Sequence, residues 1–372
     1  MPASEVHQYD TDVLVIGGGP AGLAAAIAAR RKGFRVILAD AAHPPIDKAC
    51  GEGLMPEALD ALARLGVPLP AGQVFRGIRF LEGNLEVDGT FPKGRGLGVR
   101  RTVLHQTLVQ AAVEAGVDLR WDTPIDALSV DGAVLSGESV SCRWLVGADG
   151  AQSRVRKWMG VRVLDRRVRY GFRRHYQMAP WTDRVEVHWG PGLQIYAAPV
   201  GPDEVCVALL SGDSQMRVDD ALAFFPDLAA RLADAPLLSE ERGGISATRR
   251  VAAVTQGRIA LVGDAAGSVD AITGQGMCLG FQQGLALADA LAMEDMEAYE
   301  AAHLRIMRRP RSMAELLLLM DRYPNLRTRV LETLARNPGL FRLLLAYHVG
   351  ELGRSVRFRM NRAPAAVEAG RR

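Results

Sequence analysis

The sequence TDVLVIGGGPAGLAAAIAARRKGFRVILAD, residues 11–40, decides the fold. It opens with the apolar run 13–16, which predicts a buried parallel strand. Gly17, Gly19 and Gly22 follow in the spacing GxGxxG, and residues 20–32 are typical of a helix that Gly33 ends. A second strand is expected at residues 34–39, and Asp40 follows it, where a carboxylate can accept hydrogen bonds from ribose hydroxyls. The stretch therefore predicts a Rossmann-like unit that binds a pyrophosphate at the helix N-terminus.

Two further turns have a similar pattern. Asp149-Gly150 follows an expected strand at residues 141–146, and Gly263-Asp264 ends another at residues 258–262. A helix is expected at residues 276–293, and the dipole at its N-terminus favours a negatively charged group. Each turn alone is also consistent with an ordinary connection between strand and helix. The three turns in this order predict that they converge on one dinucleotide.

The remaining segments predict an α/β chain in two domains. Residues 74–87 and 168–210 alternate in short apolar runs, which indicates antiparallel sheet rich in aromatic residues. Helices are expected at residues 56–65, 101–115, 221–232 and 237–242, and residues 91–98 are expected to form a flexible connection. The predicted Rossmann-like domain comprises residues 8–75, 98–165 and 250–300. An inserted substrate-binding sheet domain comprises residues 76–97 and 166–249, and a C-terminal helical cap comprises residues 301–372.

The C-terminal region has an unusual charge. The whole chain of 372 residues has a formal net charge of +3, but residues 301–372 contain 15 Arg, no Lys and 5 acidic residues. Helix breaks are expected here at Pro310, Pro324 and Pro338. This basic amphipathic region fits two interpretations, a helical cap over a substrate cavity or a surface that rests on an anionic membrane. A nucleic-acid partner is not expected.

The cysteines and the N-terminus indicate the compartment. Cys50, Cys142, Cys206 and Cys278 form no CxxC pair and no metal-ligand spacing, so no metal is expected and a reducing cytoplasm is favoured. The first ten residues lack the apolar region of a signal peptide. Residues 13–29 are almost long enough to span a bilayer, but their glycines and proline favour the strand–turn–helix interpretation. We expect a cytoplasmic protein, with peripheral membrane contact as the further option.

The three motifs in this order resemble those of FAD-dependent oxidoreductases with the p-hydroxybenzoate hydroxylase fold, over residues 11–300. The resemblance implies that the glycine motif and Asp40 hold the ADP half of FAD, and that Gly263-Asp264 contacts its pyrophosphate or ribityl part. It also implies that Arg101 contacts FAD and that the helix from Gly276 stabilises the reduced flavin anion. The expected FAD-binding residues are Gly17, Gly19, Pro20, Ala21, Gly22, Asp40, Arg101, Asp149, Gly263, Asp264, Gly274, Gly276 and Met277.

Within this fold the chain looks most like the geranylgeranyl reductase branch. Cys50-Gly51-Glu52-Gly53 is similar to a Cys-Gly-Glu element that this branch carries beside the flavin. The sequence TGQGM after GDAAG is also similar, with Asp270 near the position where hydroxylases have proline. Of the aromatic stretch of that branch, only Tyr196 and Pro199 match.

Cys50, Tyr196 and His175 are the candidate catalytic residues. Cys50 is placed to donate a proton or to lie over the flavin ring, unless it is only a small buried residue. His175 and Tyr196 belong to the aromatic sheet, where alternation directs some side chains into a cavity and others into the core or solvent.

The predicted activity is FAD-dependent reduction of a C=C bond in a lipophilic, isoprenoid-like substrate. One alternative is a flavin monooxygenase that hydroxylates an aromatic or polyketide-like molecule. Another, from a different class, is a flavin-fold protein that binds or escorts a lipid without catalysis. Because no second GxGxxG lies on a strand–helix unit, NAD(P)H is expected to act only as a transient electron donor, or another protein supplies the electrons.

Overall fold

The computed structural model of the chain describes residues 9–129 and 131–352. Its strands, in chain order, are β1 (Thr11–Ile16), β2 (Val36–Ala39), β3 (Gly53–Leu54), β4 (Gln73–Phe75), β5 (Gly77–Glu82), β6 (Leu85–Thr90), β7 (Gly96–Gly98), β8 (Asp118–Arg120), β9 (Ile125–Ser129), β10 (Gly132–Leu135), β11 (Glu138–Gly147), β12 (Val163–Gln177), β13 (Arg184–Gly190), β14 (Leu193–Gly201), β15 (Glu204–Ser211), β16 (Arg242–Val251), β17 (Thr255–Gln256) and β18 (Ile259–Leu261). Its α-helices are α1 (Pro20–Arg31), α2 (Pro56–Leu65), α3 (Arg101–Glu114), α4 (Arg154–Trp158), α5 (Val218–Leu222), α6 (Pro226–Leu232), α7 (Gly276–Met293), α8 (Met296–Arg322), α9 (Pro324–Arg336) and α10 (Pro338–His348).

A mostly parallel sheet forms the first half of the fold. β18, β11, β1, β2 and β8 lie side by side in that order with parallel pairing, and β17 pairs antiparallel with β18. β10 and β9 continue from β11 as antiparallel partners. Residues 13–16 of β1 are at most 2% exposed, as expected for a strand that is covered on both faces.

Helices α1 and α7 pack on each other through small residues. A Cβ atom on Gly280 would lie 2.9 Å from the Cβ of Ala21, and one on Gly284 would lie 2.8 Å from the backbone N of Ala25. Because these distances are shorter than ordinary contacts, only glycine permits the observed approach. The order of the two contacts shows that the helices run in the same direction, so both N-termini lie at the same end.

The second sheet has the strand order β16-β12-β15-β14-β13-β5-β6 and is antiparallel except between β13 and β5. Alternation along β14 divides its faces. Ile195 and Ala197 pack with residues of α5 and α6, whereas Tyr196 and Ala198 pack on the side of the C-terminal helices. A small third sheet, β3-β7-β4, lies beside β14.

Helices α8, α9 and α10 cover the second sheet. The predicted breaks at Pro324 and Pro338 are confirmed, since each proline begins a helix, where its missing N–H costs nothing. The predicted break at Pro310 is wrong, because α8 continues through it. Met307 and Met313 on either side are 0% and 6% exposed, and their burial offsets the hydrogen bond that proline cannot make.

Two other local predictions are wrong. Residues 237–242 are not helical: Leu237 forms a bridge with Tyr176, and the N–H of Leu238 donates to the carbonyl of His175 at 2.9 Å. The segment therefore extends along β12. The expected flexible connection at residues 91–98 contains β7, which pairs with β3 and β4. Both pairings join segments distant in sequence, which local patterns do not reveal.

The predicted fold class is confirmed, with a Rossmann-like parallel sheet, an inserted antiparallel sheet and C-terminal helices. The exact domain boundaries stay predictions, and residue 8, residue 130 and residues 353–372 of those domains lie outside the described residues. Within the described ranges, no helix has the length and apolar character that crossing a membrane requires.

Candidate functional site

The three glycine–acid turns lie at one edge of the parallel sheet. Ile16 pairs with Gly147, and Gly147 pairs with Leu261, so β1, β11 and β18 end side by side. The carboxyl ends of parallel strands form the usual ligand-binding edge of such a sheet. The turns that follow these strands line one cavity of about 830 Å³. The structure therefore brings the three motifs together, as the sequence predicts.

Arg156 joins the second turn to the third. Its guanidinium donates to the carbonyl of Ala151 at 2.7 Å and to that of Ala265 at 2.9 Å, and the residue is 4% exposed. In the second turn, Oδ2 of Asp149 accepts the N–H groups of Arg154 and Val155 at 2.6 and 3.2 Å. Its Oδ1 is buried and has no hydrogen-bond partner in the described part of the chain, so the protein leaves this acceptor unused.

The glycines of the first turn have different roles. A Cβ on Gly17 would lie 2.5 Å from the carbonyl carbon of Ala148, and one on Gly22 would lie 1.9 Å from the carbonyl oxygen of Gly17. Those two glycines allow α1 to pack closely on β1 and β11. A Cβ on Gly19 would meet no protein atom within 4 Å, and Gly19 lines the cavity. Its missing side chain therefore leaves room for a ligand and not for the protein.

Gly276, like Gly19, has open space where a side chain would lie. It is the first residue of α7, it lines the cavity, and a Cβ on it would also meet no protein atom within 4 Å. Gly274 precedes it with φ +64°, a left-handed conformation that favours glycine. The free N–H groups at the N-terminus of α7 are thus open to a ligand in the cavity.

Asp40 and Arg101 provide opposite charges in the cavity wall. Oδ2 of Asp40 accepts the N–H of Gly18 at 2.6 Å and Oδ1 accepts that of Ala42 at 2.8 Å, which leaves each oxygen a lone pair for a ribose hydroxyl. Arg101 is 9% exposed, and its Nε has no hydrogen-bond partner within the described ranges. A buried guanidinium N–H without a partner fits an anionic ligand.

The predicted cofactor residues lie together with one exception. Gly22 does not line the cavity and acts through helix packing. The predicted residues that do line it are Gly17, Gly19, Pro20, Ala21, Asp40, Arg101, Asp149, Gly263, Asp264, Gly274, Gly276 and Met277. The open space beside two glycines, the two helix N-termini and the buried polar atoms without partners fit a flavin dinucleotide.

The same cavity extends between the second sheet and the C-terminal helices. Its walls there are almost entirely apolar. The sheet and the loop before α7 contribute Ile78, Phe80, Val185, Val187, Tyr196 and Ile272, and the helices contribute Met313, Leu316, Leu317, Met320, Val330, Leu334, Phe341, Leu344 and Leu345. We call this part the apolar branch of the cavity. Its lining suits a lipophilic ligand next to the cofactor.

The segment from Cys50 to Glu52 forms part of the wall on the cofactor side. Cys50 lines the cavity, and burial raises the pKa of its thiol, so the sulfur keeps its proton at neutral pH. The N–H of Glu52 donates to Sγ of Cys50 at 3.3 Å. Glu52 is 1% exposed and has φ +56°, a conformation that an L-residue adopts only when its surroundings hold it there.

His175, a predicted catalytic residue, lies behind this segment and does not line the cavity. It is 0% exposed, and its Nε2 is 2.7 Å from Oε2 of Glu52, while its Nδ1 is 2.8 Å from Oγ of Ser239. The imidazole therefore reaches the cavity only through Glu52. Its catalytic role stays a prediction, now as a residue that acts through a carboxylate.

Glu52, His175 and Cys206 offer an oxygen, a nitrogen and a sulfur within 4.8 Å of one another. Such a donor set is able to hold a metal ion, but the positively charged side chain of Arg173 already lies beside it. Nε of Arg173 is 3.7 Å from Oε1 of Glu52, and its Nη1 is 3.3 Å from Nδ1 of His175. Because a guanidinium does not lose its proton, this arrangement favours a hydrogen-bonded network over a metal centre.

Tyr196, the third candidate catalytic residue, lines the apolar branch. Its hydroxyl donates to the carbonyl of Ile272 at 3.2 Å, and burial raises its pKa. The phenol therefore stays protonated. It holds the turn that precedes Gly274 and α7, and it presents a polar atom in an otherwise apolar wall.

His348 is a cavity residue that the sequence analysis missed. It lies at the end of α10, and Nε2 of Gln275 donates to its carbonyl at 2.7 Å. Burial lowers the pKa of its imidazole to about 4, with the nearby Arg309 as a further cause, so the ring is neutral. The spacing of Phe341, Leu345 and His348 places all three on one helix face, a signal that was available in the sequence.

A Rossmann-like sheet whose three turns share a cavity with an antiparallel sheet defines a class, the FAD-dependent oxidoreductases. Comparison with known proteins agrees. Residues 10–173 match the family model described as FAD binding domain. Over 324 residues the chain is 30% identical to menaquinone reductase of Mycolicibacterium smegmatis, and the alignment covers 78% of each protein.

A more distant relative is digeranylgeranylglycerophospholipid reductase 1 of Methanothermobacter thermautotrophicus, which is 26% identical over 74% of this chain and 75% of its own length. The solved structure of the flavin-dependent brominase Bmp2 superposes with a TM-score of 0.77 at 19% identity, covering 95% of this chain and 99% of that one, and thus shares the fold. The chain belongs to this FAD-binding oxidoreductase family, and FAD is its cofactor. Membership favours an enzyme over a lipid-escort protein.

Proposed function

We propose that the protein reduces a C=C bond in the prenyl chain of a lipophilic substrate. The observation that carries the proposal is the apolar branch, which joins the cofactor turns to the space under the C-terminal helices. Two relatives are named as reductases of menaquinone and of a digeranylgeranyl lipid, and both molecules carry long prenyl chains. A wall built from aliphatic and aromatic side chains suits such a chain.

The reaction needs a hydride equivalent and a proton. FAD, when bound and reduced, supplies the hydride equivalent to one carbon of the double bond. The other carbon takes a proton from the protein. Cys50 and Tyr196 both line the cavity in protonated form. We assign the proton to Cys50, because a thiol is ordinarily the stronger acid. Tyr196 then orients the chain and the turn at Ile272.

The test uses the purified holoprotein under anaerobic conditions with dithionite as reductant. Menaquinone and a digeranylgeranylglycerol lipid are offered in detergent, and products are analysed by mass spectrometry. Dithionite also reduces the quinone ring to the quinol, so the products are reoxidised in air before analysis. A mass gain of two hydrogens that remains after this step and lies in the prenyl chain supports the proposal. In air, with NADH or NADPH in place of dithionite because dithionite itself consumes oxygen, a gain of one oxygen atom coupled to oxygen uptake supports monooxygenation, the alternative, and contradicts the proposal. Failure of both substrates to react also contradicts it.

The electron donor is tested in the same preparation. The chain has one GxGxxG motif on a strand–helix unit, so we propose that NADH or NADPH reaches the flavin transiently and has no domain of its own. Rapid mixing should bleach the flavin absorbance with one of the two nicotinamides. Bleaching only after a partner reductase is added would show that a protein supplies the electrons.

We also propose that the cap contacts an anionic membrane. Leu316, Val330 and Leu344 come from three different helices and line the apolar branch. Five further residues of these helices and of the turn after α8 are between 39% and 49% exposed: Leu319, Tyr323, Leu326, Leu340 and Leu343. We call them the cap patch. Arg322, Arg329 and Arg342 are exposed on the same helices and suit anionic head groups. The arrangement would let a lipophilic substrate enter directly from the bilayer.

Vesicle flotation tests the cap patch. The double variant L319S/L343S should bind vesicles of phosphatidylcholine with phosphatidylglycerol about tenfold less than the wild type, since each leucine loses apolar contact with the bilayer. Val113→Ser is the matched control, because Val113 is 54% exposed on α3, away from the cap. Equal loss in both variants, or no loss in the double variant, would contradict membrane contact through this patch.

A further inference from the structure

Three side chains connect the cavity wall to the protein surface. Glu52 lines the cavity on the cofactor side. Its Oε2 is 2.7 Å from Nε2 of His175, and Nδ1 of His175 is 2.8 Å from Oγ of Ser239. Glu52 and His175 are 1% and 0% exposed, whereas Ser239 is only partly buried. The chain of hydrogen bonds therefore runs from a partly buried serine through a fully buried histidine to the cavity wall.

The surrounding backbone holds each member of this chain in place. The N–H of Arg101 donates to Oε1 of Glu52 at 2.9 Å, which directs the other carboxylate oxygen towards His175. The N–H of His175 donates to Oγ of Ser239 at 3.2 Å, so the serine hydroxyl is free to donate its own hydrogen to Nδ1. The N–H of Leu238 donates to the carbonyl of His175 at 2.9 Å and fixes the segment that carries Ser239.

Charge balance alone does not require the histidine. Arg173 lies 3.7 Å from Oε1 of Glu52 and already compensates the carboxylate. Arg173 is itself fixed by Asp47, which its Nη2 reaches at 2.6 Å. A neutral imidazole, by contrast, accepts at one ring nitrogen while it donates at the other. Nδ1 faces the hydroxyl of Ser239 at 2.8 Å and, farther away, Nη1 of Arg173 at 3.3 Å. A proton that arrives at Nδ1 from the nearer Ser239 can thus be matched by one that leaves Nε2 for Glu52.

We propose that Ser239, His175 and Glu52 form a proton relay between solvent and Cys50. Cys50 and Glu52 line the same cavity two residues apart, and the backbone N–H of Glu52 donates to Sγ of Cys50 at 3.3 Å, so the thiol lies beside the residue that ends the relay. The last step, from the carboxyl group of Glu52 to the sulfur, belongs to the proposal. The inference rests on the proposed function, in which the double bond gains a hydride equivalent and the proton of Cys50. The S–H bond breaks, a C–H bond forms, and the sulfur is left as a thiolate. The relay returns one proton from water to the thiolate for each double bond reduced.

The relay predicts a distinction between the first turnover and later ones. In Ser239→Ala, Cys50 still starts with its proton, so the first turnover should keep the wild-type rate. Later turnovers should slow about 10²-fold, within the range of proton-transfer catalysis by a positioned side chain. A small diffusible acid such as imidazole should restore part of the rate. His175→Gln keeps a hydrogen-bonding side chain but cannot relay a proton. Like Ser239→Ala, it should show a normal first turnover and slow later ones.

The second readout does not depend on activity. Nuclear magnetic resonance of ¹⁵N-histidine-labelled, oxidised holoprotein without substrate measures how fast the ring N–H of His175 exchanges with water. Exchange should slow about tenfold or more in Ser239→Ala, since the hydroxyl is the outer end of the path. Ser214→Ala is the matched control, because Ser214 is exposed and lies outside the relay.

Two results would overturn the relay. One is unchanged N–H exchange in Ser239→Ala, and the other is a first turnover that falls as much as the later ones, which would indicate a structural role. Failure of the proposed function looks different, because the wild type itself would then give no reduced product. The exchange measurement still decides on the relay in that case.

Discussion

Gly19 and Gly22 belong to the same motif, but the structure predicts opposite consequences when each is replaced by alanine. Gly22 faces protein, with its Cβ position 1.9 Å from the carbonyl oxygen of Gly17. Gly19 faces the cavity, with no protein atom within 4 Å of its Cβ position. Gly22→Ala should therefore impair folding, and Gly19→Ala should impair FAD binding alone.

The size of each effect follows from the geometry. In Gly22→Ala, α1 must move away from β1 by about 1 Å to restore an ordinary contact, and such overpacking costs about 1–3 kcal/mol of unfolding free energy. Gly19 has φ −69° and ψ 174°, which alanine adopts without strain. Loss of unfolded-state entropy stabilises this variant by about 0.4–1 kcal/mol, and the poorer N-cap offsets part of it. The stability of the apoprotein should thus change by less than about 1 kcal/mol.

FAD binding should be weakened more by Gly19→Ala than by Gly22→Ala. The new methyl group of Gly19→Ala occupies the space through which the phosphates reach the N-terminus of α1. We expect the dissociation constant for FAD to rise at least about tenfold, which corresponds to about 1.4 kcal/mol. The variant should consequently lose most of the thermal stabilisation that FAD gives to the wild type, because that stabilisation depends on affinity.

The assay removes FAD, records thermal unfolding of each apoprotein and titrates FAD back by flavin fluorescence. Apo Gly22→Ala should melt several degrees below the wild type, and apo Gly19→Ala should melt close to it. The reasoning would be refuted if Gly19→Ala bound FAD as tightly as the wild type. It would also be refuted if Gly22→Ala melted at the wild-type temperature, since the close helix–strand contact would then not matter.

The remaining predictions concern the reaction and its pH dependence. Cys50→Ala should lower anaerobic turnover about 10²-fold while the FAD dissociation constant stays unchanged, and unchanged turnover would remove the thiol from the mechanism. Tyr196→Phe should cost about 1 kcal/mol of stability through the lost hydrogen bond and should leave single turnover within about tenfold of the wild type. Burial lowers the pKa of His303 and of His348 to about 4, below the ordinary 6.5, so the unfolded chain binds more protons between these values. Stability should therefore be fully present above about pH 6.5 and should fall by about 2 kcal/mol per histidine at pH 5, as urea unfolding measures, whereas the double variant to glutamine should show a flatter profile.

The cofactor side of the site could be predicted because its chemistry is local in sequence. Gly19 and Gly22 act within a few residues of β1 and α1, and Asp40 directly follows the next strand. Parallel pairing then brings the ends of such strands together without further information. The apolar branch was harder to predict from the sequence. It depends on how three helices of the cap cover strands such as β5 and β13, which lie more than a hundred residues before α8.

The relay shows why the rest could not be predicted. Glu52 is separated from His175 by 123 positions, and their contact depends on the left-handed backbone at Glu52. No periodicity predicts that conformation for a glutamate. The segment with Ser239 was expected to be helical, and only its pairing beside β12 brings the hydroxyl to Nδ1 of His175. The helix break predicted at Pro310 was wrong for a related reason, because tertiary burial overrides a local propensity.

The cap and the cofactor turns form one unit because a buried arginine joins them. Nη1 of Arg169 on β12 lies 3.3 Å from Oδ1 of Asp270, and its Nη2 lies 3.6 Å from Oδ2 of Asp321 on α8. Asp270 also accepts the N–H of Ile272 at 3.0 Å, so it fixes the turn to which Tyr196 donates. Removing one partner of a buried ion pair costs about 3–5 kcal/mol, which makes independent movement of α8 and this turn unfavourable. A proline at position 270 would lack the carboxylate. The departure from the hydroxylase pattern at that residue therefore has a structural consequence, since it anchors the helices over the apolar branch to the loop that leads into the N-terminus of α7.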